Sequence, residues 1–437
     1  MRSKYLWVFL GIPPLKCTRN FFPAALPSTA SLLRRDRQVS PPFIPMNVRS
    51  PNVLLSGLWM VPSMGGMPKT IELFRRVLDA KVVSFTNGKM LDDEGSAVRG
   101  AEHIRTGLDF RGRFYSWAPK SARLAADKLA SQAELISCHT LYRYHVHWVR
   151  HWVAKRNIPY WVVPHGCLDP YVFSYRAWQK KPWMWAIGRR HLREASAIIF
   201  STRREKEKAA PYLSADNGRV IYWPVTNQAP GDDQRAAARS AWRNELGCGS
   251  SARLILFLGR LHSMKRPAET ISAFLQAQAA HTHLVLAGPD GDLTSAQLRD
   301  HASGSPNVHL LGPIWGERKD SLLAAVDGFV SLSIRENFGH SAAEAMRSGV
   351  PVLLSPGNDL VGEIYQEDCG WMLPDETPDA AAQAFREFDR APIEVLRERA
   401  AKGKAWAVRE LGFDTFAARL QALAHETIER HKTQFKR

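Results

Sequence analysis

"GFVSLSIRENFGHSAAEAMRSGVPVLLS", residues 328–355, decides the fold. The apolar run at 328–333 predicts a strand, 341–347 a short helix, and 350–354 a second strand. Strand, tight turn, helix and strand make a βαβ unit, which belongs to a parallel sheet covered on both faces. The turn is also chemically marked. Glu336 precedes Gly339, and Glu344 stands about one turn inside the helix. Gly339 lets the backbone turn tightly and approach a ligand. The helix start at His340 and Ser341 offers free N–H groups to an anion.

The same alternation extends along the chain. Upstream, apolar strands are predicted at 253–259, 282–288 and 307–312, with helices between them. Three helices follow, near 376–390, 393–408 and 413–431. An earlier series has strands at 52–58, 81–85, 134–138, 159–163, 197–201 and 219–223. Its helices lie near 68–79, 121–131, 142–156, 176–193 and 203–213, and a polar loop is expected from 87 to 120. "PVTNQAPGDDQ" (224–234) separates the two series and reads as a linker. The expected fold class is α/β: two doubly wound Rossmann-like domains facing a central cleft. Ligands in such sheets bind outside the carboxyl ends of the strands.

The expected division is an extension at 1–45, an acceptor-binding domain at 46–230, a linker and leading helix at 231–251, a nucleotide-sugar domain at 252–412, and a C-terminal helix at 413–437 that crosses back to the first domain. For residues 1–45, rich in Arg, Pro and Ser, three readings stay open: a non-native start ahead of Met46, a targeting segment, or a disordered tail.

The chain has 437 residues, enough for two domains, with 45% hydrophobic and 23% charged content. No apolar run approaches the ~18 residues of a membrane-spanning helix. Its five cysteines are scattered without a C-x-x-C pair, against a disulfide framework or structural zinc site and in keeping with a reducing compartment. The net charge of +17 is one-sided. Residues 46–230 carry 28 Lys/Arg against 14 acids, while 231–437 carry 24 against 27. The first half therefore calls for an anionic partner.

"FLGRLHSMK" (257–265) places Gly259 at a strand end, Arg260 at its carboxyl edge and Lys265 just before the helix opened by Pro267. A guanidinium fork and an ammonium point charge suit a diphosphate, although two cations on a solvated loop have the same spacing. Neither G-x-G-x-x-G after a strand nor G-x-x-x-x-G-K-[ST] occurs, so phosphate must be held by side chains and helix N-termini. Glu344 suits a ribose diol and Glu336 suits sugar hydroxyls. Equally, Glu344 fits as an acid near a helix N-terminus and Glu336 as a surface charge.

Taken together, "GRLHSMKRP", "LAGPDGD" and "ENFGHSAAEAMRSGVPVLLSP" resemble the nucleotide-binding half of retaining glycosyltransferases of family four, which have the GT-B fold. The Glu-x(7)-Glu pattern with an internal F-G is the most diagnostic part. "HTLYRYH" (139–145) and "PHGCLDP" (164–170) resemble the family's acceptor-domain segments. The resemblance covers roughly residues 52–431. It implies that Arg260 and Lys265 neutralise the donor diphosphate and that Glu344 binds the ribose. Glu336 would hold the donor sugar, with the backbone around Asn337, Phe338, Gly339 and His340. It places Gly259 at the donor, His165 beside the sugar, and Gly65 and Gly66 near the phosphates or acceptor. Two departures stand out: "WPVTN" (223–227) replaces a common N-G-V/I-D turn, and Arg266 follows Lys265 where Gly or Asn is frequent.

The expected activity is sugar transfer from a nucleotide-diphosphate sugar to a lipid-linked or polysaccharide acceptor in cell-surface polysaccharide synthesis. Configuration would be retained, with no cofactor and no metal. Adjacent acids Asp92 and Asp93 read as surface charge rather than a metal site. Aromatic and basic residues interleave at 142–156 and 175–194, which suits an anionic membrane surface. The expected location is cytoplasmic, on the inner face of the cell membrane. Competing readings are a nucleotide-sugar epimerase, a sugar phosphorylase and, prompted by charge alone, a nucleic-acid binder. No nucleic-acid reader motif is present, so specific nucleic acid is not an expected partner.

Overall fold

The structure is a computed structural model that describes residues 51–434, apart from 65, 107–109, 214–215 and 228. Residues 1–45 and Gly65 lie outside the described residues. Among those described, thirteen strands form two parallel sheets. The first contains β1 (Val53–Leu58), β2 (Lys81–Asn87), β3 (Glu102–Thr106), β4 (Leu135–His139), β5 (Tyr160–Val163), β6 (Ala197–Phe200) and β7 (Gly218–Val220). The second contains β8 (Arg253–Leu258), β9 (Thr282–Ala287), β10 (Val308–Gly312), β11 (Gly328–Ser331), β12 (Val352–Leu354) and β13 (Gly370–Met372).

The orders are β3-β2-β1-β4-β5-β6-β7 and β10-β9-β8-β11-β12-β13. Each reverses direction between its first and fourth strands, β1/β4 and β8/β11. Crevices open at such switch points. The central strands are buried on both faces; all six residues of β1 are buried.

Two strands escaped the sequence pattern. β3 lies inside the expected polar loop, because "EHIRT" is mostly polar and buries fully only Ile104 and Thr106. β13 has three residues, too few to show a period. The strand expected at 219–223 is Gly218–Val220, and the chain then runs on without regular structure while burying Ile221, Tyr222 and Trp223. Within 176–193 the helix is interrupted by a π-turn at Met184–Gly188.

The helix Phe413–Gln434 leaves the second domain and packs on the first. Trp161 Nε1 donates to Thr427 Oγ1 at 3.0 Å, and Gln421 Nε2 donates to Val77 O at 3.1 Å. Phe416 meets Phe74 and Trp223 edge-on, with ring centres 5.6 and 6.2 Å apart. These residues join one apolar cluster containing Val53, Leu254 and Phe329, so part of the core is shared between the sheets. Burying a side chain such as Phe416 stabilises by about 1.5–3 kcal/mol, which ties the helix firmly to both halves.

Candidate active site

The carboxyl edges of β8 and β11 face the helix Gly66–Leu78 of the first domain. A cavity of about 650 Å3 lies between them. Its second-domain wall includes Gly259, Arg260, Lys265, Glu336, Gly339 and Glu344. His340 and Gly66 line it as well.

Local sequence explains how the β8 loop is held. Gly288 has φ +156, and a Cβ there would stand 1.8 Å from Gly259 O. Only glycine lets the two strand ends come so close. "GPDGD" then fastens the loop: Leu261 N donates to Pro289 O at 2.9 Å, and Ser263 N to Asp292 Oδ1 at 2.8 Å. Lys265 N donates to His262 O at 2.7 Å, closing a tight turn. Arg266 adopts a left-handed conformation (φ 56) and Pro267 opens the next helix. Arg266 itself leans away, donating to Glu376 O at 3.1 Å.

The β11 loop is held just as closely. Glu336 N donates to Gly357 O at 2.8 Å, and Asp359 N to Glu336 O at 2.9 Å. Gly339 has φ +77, and a Cβ would stand 2.9 Å from the Asn358 amide. Asn358 is buried, lines the cavity, and its Nδ2 has no partner among the described residues. Such an amide N–H is free to donate to a ligand oxygen or to water.

Both glutamates are paired. Lys265 Nζ contacts Glu336 Oε2, and Lys319 Nζ contacts Glu344 Oε1 at 2.9 Å. Burial, with Arg260 beside it, pushes the Lys265 ammonium down to about 8. Burial, then Lys69, Lys265 and Lys319, push the His340 imidazole down to about 4, so it is neutral at neutral pH. The cations thus converge on one small volume. Lys69, Glu72 and Arg76 of the facing helix also line the cavity. These three and Lys319 were not singled out from sequence. Lys69 had a faint signal in its closeness to Gly66; Lys319 had none.

Asn337 and Phe338 stand elsewhere. Phe338 is buried, with its ring on His340 at 4.9 Å. Asn337 Nδ2 reaches Ser201 Oγ of the first domain at 3.2 Å, and Arg335 Nη2 donates to Gly166 O at 3.0 Å. The β11 loop is therefore also an interdomain contact. Beneath it, buried Glu205 accepts from Gly166 N, Ser201 N and Ser201 Oγ, each at 2.7 Å. Burial holds the Glu205 carboxyl above its usual range. Lys208 bridges Asp169 of the first domain at 3.0 Å and Asp359 of the second at 2.6 Å.

His165 stands after β5 with φ 51. Its Nε2 is 3.0 Å from Nδ1 of His139, the rings stack 5.3 Å apart, and it is not in the cavity wall. Burial pushes His165 down to about 4 and His139 well below the usual histidine range. The pair is neutral, so one imidazole donates to the other. Asp92 is tied to Arg105 at 2.7 Å, a surface ion pair.

Two family models divide most of the chain between them. "Glycosyltransferase Family 4" matches residues 64–226 and "Glycosyl transferases group 1" matches 238–405. The chain belongs to the group 1 glycosyltransferases of family four. The linker that separates the two matches helps form this glycosyltransferase's site, since Asn227 Nδ2 donates to Glu344 O at 3.0 Å.

Among relatives, the D-inositol 3-phosphate glycosyltransferase of Mycolicibacterium gilvum is 30% identical over 218 residues, 47% of this chain and 48% of that one. That of Xylanimonas cellulosilytica is 29% identical over 244 residues, 53% and 57% of the two chains. The chain spans about half the length of the curated relatives it matches. The crystal structure of Anabaena HepE in complex with UDP and glucose superposes with a TM-score of 0.64 at 17% identity, covering 87% of this chain and 99% of that one. The sucrose-phosphate synthase of Thermosynechococcus elongatus gives 0.64 at 18%, covering 87% and 100%. These structures share the GT-B fold.

Proposed function

We propose that this glycosyltransferase moves a sugar from a nucleoside diphosphate sugar to a lipid-linked or glycan acceptor in cell-surface polysaccharide synthesis, retaining the anomeric configuration. The observation that carries the donor assignment is the cavity in which Arg260, Lys265, Glu336 and Glu344 meet. Glu344 takes the ribose diol and Glu336 the hydroxyls of the transferred sugar. Arg260 and Lys265 take the diphosphate between them, and the start of the helix His340–Arg347 adds N–H groups. When the sugar–phosphate bond breaks, negative charge grows on the diphosphate, where these cations stand in a partly dried site. They perform the charge neutralisation that a metal would otherwise supply.

Both glutamates must exchange a lysine for ligand hydroxyls. The donor diphosphate offers Lys265 a replacement partner, so sugar and phosphate binding are coupled. His165, neutral and outside the cavity wall, would have to leave His139 to meet the sugar, and would then do so by a hydrogen bond rather than by charge.

Membrane docking draws support from one of the two aromatic–basic segments. In the helix Tyr144–Arg156, Trp148 and Trp152 are buried and both donate to Asp127 Oδ1, so their role is core packing. In the next segment Trp178 and Trp185 are 74% and 81% exposed, with Lys181, Arg189 and Arg190 exposed near them. Indole and cation together suit the interface of an anionic leaflet on the cytoplasmic side.

A thermal-shift screen across UDP-, GDP- and ADP-sugars tests the donor assignment. The matching donor at ~100 times its Kd adds about 2.7 kcal/mol of stability. A flat response to every nucleotide sugar removes the assignment. Product analysis with and without acceptor separates transfer from epimerisation and phosphorolysis.

A further inference from the structure

The seam between the two domains is held by charge as well as by packing. Lys208, near the end of the helix Arg203–Ala209, reaches across it. Its Nζ stands 3.0 Å from Asp169 Oδ2 in the first domain and 2.6 Å from Asp359 Oδ1 in the second. Both carboxylates are buried. Glu205 of the same helix adds a third buried carboxyl group nearby, and Arg335 Nε lies 3.7 Å from Asp169 Oδ2. Glu376 also feels the Lys208 charge. Burial lifts the Asp359 carboxyl to about 7; Lys208 pulls it down, while Glu205 and Asp169 push it up.

Each bridged carboxylate belongs to a loop with a place in the reaction. Asp359 N donates to Glu336 O at 2.9 Å and Glu336 N to Gly357 O at 2.8 Å, so Asp359 moves with Glu336. Asp359 also follows Asn358, which lines the donor cavity. On the other side, Cys167 N donates to Pro164 O at 3.1 Å and Asp169 N to Gly166 O at 3.2 Å, closing the turn that carries His165. Asp169 Oδ1 accepts from Tyr171 N at 2.8 Å, which fixes its carboxylate at the start of the helix Pro170–Ser174. Lys208 is not in the cavity wall, so its influence on the cavity runs through these two loops.

We propose that Lys208 is a positioning residue for sugar transfer, clamping the loop of Glu336 against the loop of His165 through Asp359 and Asp169. The proposal rests on the transferase reading above, which gives those loops their roles. A cation shared by two buried carboxylates is costly to lose, because each is left without its partner and the two then repel across the seam. That repulsion has a direction: it drives the loops apart. Lys208→Met keeps an unbranched side chain but removes the charge, and so turns attraction into repulsion. A loss of packing would not depend on the charge of Asp359, whereas the clamp does.

The test uses the full chain without ligand and follows hydrogen exchange over residues 164–170 and 355–362 by mass spectrometry. Lys208→Met should speed exchange in both segments by roughly ten-fold or more, with β1 and β8 unchanged as the check on folding. Lys208→Arg should keep most of the wild-type protection. Adding Asp359→Asn to Lys208→Met should restore most of it, because one repelling charge is gone. The ratio of Lys208→Met to wild-type exchange should widen from about pH 6 to about pH 9, as Asp359 ionises against Glu205 and Asp169. With the nucleotide sugar that the thermal-shift screen selects, Lys208→Met should lower kcat for nucleoside diphosphate release about ten-fold and leave KM within about two-fold. Exchange equal to wild type in Lys208→Met, or no recovery in the double variant, overturns the clamp. Faster exchange with kcat unchanged overturns the positioning role. A chain that takes no nucleotide sugar would remove the donor reading and with it the role in transfer, while exchange would still decide the clamp.

Discussion

The two sheets present their carboxyl edges to one another, yet the chemistry at the edges differs. At the second sheet, charge is paired within the domain: Lys265 on Glu336, Lys319 on Glu344. At the first, the edge holds neutral imidazoles, His139 and His165, and a smaller pocket lined among others by Arg143, Arg176 and Lys180. If the cavity at the second sheet takes the donor, as proposed, its glutamates are paired before ligand arrives, and binding there is an exchange of partners. On the proposed reading, an anionic donor must displace these pairs to bind, which selects for a defined pose.

The largest effect that would sharpen this contrast comes from removing both donor cations. Arg260→Gln with Lys265→Gln should lower kcat/KM by roughly 10²–10⁴-fold, since each charge-assisted hydrogen bond contributes ~1.5–3 kcal/mol. A loss below three-fold in steady-state transfer would break the assignment of diphosphate to these side chains.

Glu344→Ala comes next, at roughly 10–100-fold on the same scale. The ribose is remote from the bond that breaks, so the loss should fall mainly on KM for the donor. Lys319 is left without its partner, so Glu344→Gln should recover part of the loss by again offering an oxygen to the diol. Equal KM values for wild type and Glu344→Ala would return Glu344 to the role of an acid near a helix start.

Glu205→Ala probes the interdomain seam rather than the chemistry. It leaves the N–H groups of Gly166 and Ser201 without their acceptor, at about 1–3 kcal/mol each. The expected outcome is a lower midpoint in urea with m unchanged. An unaltered midpoint would mean that water satisfies both groups.

The smallest effect is a pH dependence. Lys265 is charged below about pH 8 in the unliganded protein. Donor affinity should therefore fall as pH rises through about 8, and Lys265→Arg should move that fall to higher pH. For stability the sign is opposite. Lys265 has a folded pKa below its ordinary value, so the unfolded chain binds more protons between about 8 and 10.5. Its contribution to stability thus rises with pH across that window. His165 and His139, held neutral by burial, should add no step between pH 5 and 8.

Much of this arrangement was legible in the chain. The apolar runs of β1, β8 and β9 declare strands because both faces are largely buried, with only Ser56 inside β1 and His283 inside β9 to interrupt them. β3 and β13 were hidden for the opposite reasons, one too polar at the sheet edge and one too short. Gly259, Arg260, Lys265, Glu336 and Glu344, which line one cavity, could be singled out because they stand after predicted strands and carry the family resemblance; strand position alone left the charged ones as ordinary surface charges. Lys69 and Asn358 gave little sign, since each reaches the cavity from another element, and Lys319 meets the site through Glu344. The exposed Trp178 and the buried Trp148 have similar neighbours in sequence. Which one packs and which one faces solvent depends on the layer beneath.

By itself the sequence determined the two doubly wound sheets, the linker between them and the acids and cations of the β8 and β11 loops. Hydrophobic periodicity and strand-end position are local properties, and one chain carries them in full. Tertiary structure alone decided how those groups are paired, that Asn337 faces the first domain, and that His139 and His165 are neutral. It alone gathered Arg143, Arg176 and Lys180 into one pocket. Pairing, burial and the repulsion of like charges depend on distances between segments far apart in the chain, and only packing sets those distances.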